Sequence, residues 1–91
     1  VVTHTFRQKR FRIVESSRIK FDGYCDWRDT KDKKLWLKKG MEDRKRLEVM
    51  LHEGLHACLS SLDEDAVSET ARDLAAFLWR DGWCRLDSVA R

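Results

Sequence analysis

Residues His52-Glu53-Gly54-Leu55-His56 spell H-E-x-x-H. On a helix, a spacing of four is slightly more than one turn, so both imidazoles leave the same face and can converge on one tetrahedral cation. Glu53, one step around, would border the open coordination position. The plain alternative is two surface histidines and a glutamate in an ordinary i,i+4 arrangement. Zinc is the cation that suits this donor set, and a catalytic zinc site wants a third protein ligand. Glu69, thirteen residues after His56, is the first choice, because an antiparallel helical hairpin would carry it back alongside the histidines. Asp73, one turn later, is placed to accept the free ring N–H of a ligating histidine, unless it is simply a solvated charge. Glu64, eight residues after His56, is the rival ligand, but capping and the helix dipole already account for a glutamate at a helix start. His4 is remote and reads as a solvated terminal side chain.

These residues need two helices to carry them. After Gly40 the apolar period becomes 3.6, with Leu47, Met50, Leu51, Leu55, Cys58, Leu59 and Leu62 at spacings of three and four, so a core-facing helix is expected from about Met41 to about Leu59. Ser61-Leu62-Asp63-Glu64 reads as a capping box opening a second helix, with Asp63 as the rival cap. That helix is expected over about 62–81, ending near Gly82, with a short tail from Trp83 to Arg91. Ala71, Ala75 and Ala76 would allow close packing on the first helix. Upstream, about 10–39 alternates in the manner of short strands around Phe11 and Ile13, Ile19-Lys20-Phe21, Tyr24-Cys25-Asp26-Trp27 and Leu35-Trp36-Leu37. The expected fold class is α+β: a small antiparallel sheet of three or four strands followed by a two-helix hairpin carrying the metal site.

The 91 residues suffice for one domain, 1–91, and exclude a two-domain enzyme. With 42% hydrophobic and 38% charged residues, a thin but real core is available. No apolar run is long enough to span a bilayer, and no signal peptide is visible at Val1-Val2-Thr3. Cys25, Cys58 and Cys84 are odd in number and never form CxxC, which argues for small hydrophobes in a reducing cytoplasm rather than a disulfide framework. The net charge of +3 is unevenly divided: residues 1–46 carry 15 Lys and Arg against 7 Asp and Glu. Such a half could face phosphates, although interspersed Asp22, Asp26, Asp29 and Asp32 favour a solvated surface. The four tryptophans read as core and rim packing rather than a binding platform, with Trp36 the one worth substituting.

The pair His52-Glu53-Gly54-Leu55-His56 and Glu69-Thr70-Ala71-Arg72-Asp73, H-E-x-x-H followed by E-x-x-x-D, resembles the metal site of the gluzincin peptidases. In size the chain is similar to the minigluzincins and to small phage-encoded metallopeptidase-like proteins, the likeness covering roughly Leu35 to Trp79. It implies a zinc-dependent peptidase with metal ligands His52, His56 and Glu69, with Glu53 as catalytic base, acting on a peptide or protein substrate. It also implies that an edge strand ahead of the active-site helix, here Leu35, Trp36 and Leu37, pairs with the substrate. Gluzincins generally add a Tyr or His that stabilises the oxyanion; no residue here matches that motif, and Tyr24 and Arg72 are the candidates.

Two further readings stay open. One is a zinc-stabilised interaction or nucleic-acid-binding module of a phage or mobile element, in which Cys58 or His4 closes the coordination shell and the basic half does the binding. The other is a metal-free helical packing protein.

Overall fold

The computed structural model describes residues 2–85, so the last part of the expected tail lies outside the described residues. The chain is α+β, with four strands followed by two helices: β1 (Thr3–Phe6), β2 (Lys9–Ser16), β3 (Gly23–Cys25), β4 (Lys34–Lys38), α1 (Asp43–Cys58) and α2 (Glu64–Arg80). Alternation puts Phe11, Leu35 and Leu37 on one face of the sheet, where they are almost fully buried with Val49 and Ala57 of α1. Phe6 meets Phe11 edge to face, with ring centroids 5.6 Å apart.

The sheet is mixed, in the order β1-β2-β4-β3. β4 inserts between β2 and β3, pairing parallel with β2 and antiparallel with β3, whereas an all-antiparallel sheet was expected. The sequence neighbours β2 and β3 are not sheet neighbours here, because residues 17–22 carry the chain past the place that β4 later fills. Ile19-Lys20-Phe21 lies in this bend and not in a strand, while β1, from the polar run Thr3-His4-Thr5-Phe6, precedes the expected strand region. The β1–β2 turn places Arg7 and Gln8 at φ 46° and 72°.

Two consequences bear on the site. β4 is an interior strand, so Leu35, Trp36 and Leu37 cannot be the substrate-pairing edge: Leu35 and Leu37 fill the core and Trp36 faces the other side of the sheet. The edge beside α1 is β3. The end of α1 is also tied to the rest of the fold, for Arg28 donates to the carbonyls of Phe6 (2.8 Å), Arg7 (2.6 Å) and Ala57, and Arg7 donates to that of Cys58 (2.9 Å). Carbonyls in the last turn of a helix have no partner within it, and two guanidiniums supply one here.

α2 packs on α1 through Val67, Ala71 and Ala75, a buried stripe at intervals of four. Its N-cap is Asp63, whose carboxylate accepts the Ala66 N–H at 2.8 Å, and not Ser61. Gly82, at φ 94°, follows the helix end in the left-handed conformation, as expected there. If the stripe sets the rotation of α2, Ala71→Leu should cost about 1–3 kcal/mol by overpacking, and Asp73→Leu on the exposed side no more than about 0.5 kcal/mol, as measured by urea unfolding.

Candidate metal centre

His52 and His56 project from one face of α1, four residues apart, with side chains roughly one-quarter exposed. Their Nε2 atoms each lie 2.9 Å from Glu64: His52 from one carboxylate oxygen and His56 from the other. The ligand atoms of all three residues lie within 4.8 Å of one another, and no other such group of His, Cys, Asp and Glu occurs among the described residues. The rings themselves meet edge to face at 5.0 Å.

The carboxylate at the histidines is therefore Glu64, not Glu69. Measured from the stripe that packs on α1, Glu64 is three residues before Val67 and about 60° from it, so it shares the inward side of the helix. Glu69 is two residues after Val67, and Asp73 two after Ala71, each about 160° from the stripe residue before it. Both are exposed, and neither forms a hydrogen bond or ion pair with an imidazole. The cap supplies the second half of the reason. Had Ser61 capped α2, Glu64 would occupy the third position and reach back to the Ser61 N–H. With Asp63 as cap, Glu64 is the first helical residue and its carboxylate is free to turn towards the end of α1. The i, i+4, i+8 run Val67-Ala71-Ala75 was the sequence signal that excludes Glu69 and Asp73.

Glu53 sits differently from its neighbours. It is 7% exposed, the one buried charged residue among those described, and lies under β3. Gly23 makes room for it: a Cβ at that position would come 2.7 Å from Val49 Cγ1, 2.9 Å from Glu53 Cγ and 3.0 Å from Glu53 Oε2. Burial, and then the negative charge of Glu64, push the Glu53 carboxyl up from 4.5 to about 7. Cys25 on the same side of β3 is raised to about 12 by burial and by Glu53, so it stays a thiol at neutral pH and acts as a small hydrophobe.

A cleft of about 530 Å³ opens beside these groups, lined by the histidines, Glu53 and Glu64 together with Phe21 and Trp27. Tyr24 borders it and Arg72 does not. His4 lies in β1, edge-on to Phe6, and Cys58 is not part of the histidine group. Two imidazole nitrogens and a carboxylate within 4.8 Å of one another make a donor set suited to zinc, whose tetrahedral ligands stand roughly 3.3 Å apart. No family model, curated protein or solved structure matches the chain.

The raised Glu53 carboxyl has a stability consequence in metal-free protein. Because the folded state holds this proton more tightly than the unfolded chain, its contribution is complete below about pH 4.5 and is lost as pH rises through about 7. Glu53→Gln should therefore stabilise the chelated protein by on the order of 2–3 kcal/mol at pH 8 and leave it nearly unchanged at pH 4.5, as read from thermal or urea unfolding at the two pH values. Equal effects at both would contradict the burial of an ionisable group there.

Proposed function

We propose that this chain is a zinc-dependent hydrolase of peptide bonds, with His52, His56 and Glu64 holding the metal and Glu53 as general base. The observation that carries the reading is the convergence of two Nε2 atoms on the two oxygens of Glu64, next to a buried carboxyl that faces the same cleft. The likeness to the gluzincin peptidases rests on the H-E-x-x-H helix alone, since Glu69 and Asp73 lie on the far side of α2.

When bound, zinc supplies Lewis acidity that polarises a carbonyl and makes water a nucleophile near neutral pH. The residues of the chain do the rest. Glu64 and the histidines fix the cation at the end of α1. Glu53 accepts a proton from the attacking water at its carboxylate and returns it to the leaving amine, a role that suits a carboxyl whose affinity for protons has been raised by burial. β3 offers the backbone edge for an extended substrate. Asp26 N–H donates to Lys34 O, and Lys38 N–H to Asp22 O, so these residues turn inwards to β4, and Gly23 and Cys25 present their N–H and C=O groups outwards. Phe21 and Trp27 flank that edge with exposed aromatic surface.

Protein purified without chelator is expected to carry one zinc per chain. Glu64→Ala should weaken zinc binding at least tenfold and Glu69→Ala leave it unchanged, both followed by metal analysis and competition with a chromogenic chelator. Glu53→Gln should keep the metal and lower hydrolysis of a mixed peptide library by roughly 100-fold or more. Protein without zinc whose melting temperature does not respond to added zinc would defeat the proposal.

A further inference from the structure

The side of the sheet opposite α1 carries a different set of residues. Alternation along β2 and β4 puts Arg10, Arg12 and Val14, and Lys34, Trp36 and Lys38, away from the core residues Phe11, Leu35 and Leu37. The register sets them side by side: Thr3, Arg12 and Lys34 form one row across three strands, and Val14, Trp36 and Tyr24 the next. The two helices pack on the other side or on each other, so no described helix covers this surface. Its centre is aromatic and aliphatic, with Tyr24 half exposed, and its flanks are cationic.

The cations are available. Among the described residues none of Arg10, Arg12, Lys34 and Lys38 forms an ion pair, although Arg10 bonds to the Thr3 hydroxyl. The nearby acids are mostly engaged: Asp26 accepts the Lys34 N–H, and Asp22 pairs with Lys45. Asp32 stands at the rim beside Arg10 and Arg12. Lys34 Nζ lies over the Trp36 ring, 5.8 Å from its centre, so a base stacking on that face would displace this flexible side chain to the edge of the ring, where its charge can meet a phosphate. A positively charged, open sheet with aromatic rings on it matches the chemistry of a single-stranded polynucleotide, whose bases stack and whose phosphates seek cations. A duplex fits poorly, since it hides its base faces and the surface offers no helix or ribbon to enter a groove. An acidic peptide would satisfy the cations but leave the rings without a stacking partner.

We infer that the face formed by Arg10, Arg12, Lys34, Trp36 and Lys38 binds single-stranded nucleic acid, stacking a base on Trp36 and holding phosphates with the surrounding cations. Nothing on it selects for a 2′-hydroxyl, so RNA and DNA strands bind alike. None of these five residues lines the metal cleft, which meets this face only at Tyr24 on the sheet edge, so the inference does not rest on the metal centre, and its readout is binding without hydrolysis.

The test is fluorescence anisotropy of the full chain with labelled oligo(U) and oligo(dT) of about twelve nucleotides in roughly 50 mM salt. Both should bind, with log K falling against log salt with a slope of about −2 to −3, as expected for three or four phosphate contacts. Trp36→Ala should weaken binding ~10-fold, and Trp36→Phe should restore most of it. Arg12→Gln combined with Lys34→Gln, both at surface positions, should make the slope shallower by about 1.4. The inference is overturned if neither strand binds, if the Arg12/Lys34 double substitution leaves affinity and slope unchanged, or if folded Trp36→Ala protein binds as the native chain does. It is also overturned if polyglutamate displaces the strands at equal charge concentration, or if a duplex of the same length binds more tightly than either.

Discussion

The close approach of α2 to α1 decides what the H-E-x-x-H helix can do. Small side chains at Val67, Ala71 and Ala75 let the two helices pack face to face, and a stripe so narrow leaves α2 little freedom to rotate. Once the rotation is fixed, the only carboxylate of α2 that can meet the imidazoles lies at its first residue. The Asp63 cap then frees that residue from any duty towards its own backbone. A packing choice in the interior thus selects the third donor, and a hydrogen bond at the helix start releases it.

A second constraint comes from the other side of α1. Glu53 is buried under a strand that can come so near only because residue 23 has no side chain. The histidines and Glu53 border one cleft, but the imidazoles are about one-quarter exposed there while Glu53 is buried against β3, so adjacent residues of one helix live in unlike surroundings. Solvent access suits the nitrogens, and exclusion from water raises the affinity of the carboxyl for a proton.

What could be read from the sequence was local. The two helices follow from a 3.6 period, the histidine pair from a spacing of four, and the helix end from Gly82, all features confined to one or two turns. The choice between Glu64 and Glu69 depends on rotation about the α2 axis, which the Val67-Ala71-Ala75 stripe encodes less conspicuously than a motif does. The interior position of β4 was hidden for a different reason: strand order is set by pairings between distant segments, and a parallel β2–β4 pair leaves no trace in the alternation of either strand. β1 leaves little sequence signal because Thr3-His4-Thr5 shows no apolar face by itself. The Gly23 contact could not have been foreseen, since a glycine between Asp22 and Tyr24 looks like part of a turn.

The ties made by Arg28 and Arg7 give the fold an unexpected mechanical continuity. One guanidinium grips the tip of the first hairpin and the last turn of α1 together, and a second reinforces the same junction. The tip they hold is itself conformationally costly, with two non-glycine residues in the left-handed region. Residues more than forty positions upstream of the histidines therefore act as a brace for the place where the chain turns from one helix into the next. Any rearrangement of the amino-terminal hairpin would be felt at the cleft as a loosening of its floor, although no atom of that hairpin needs to touch what the cleft contains.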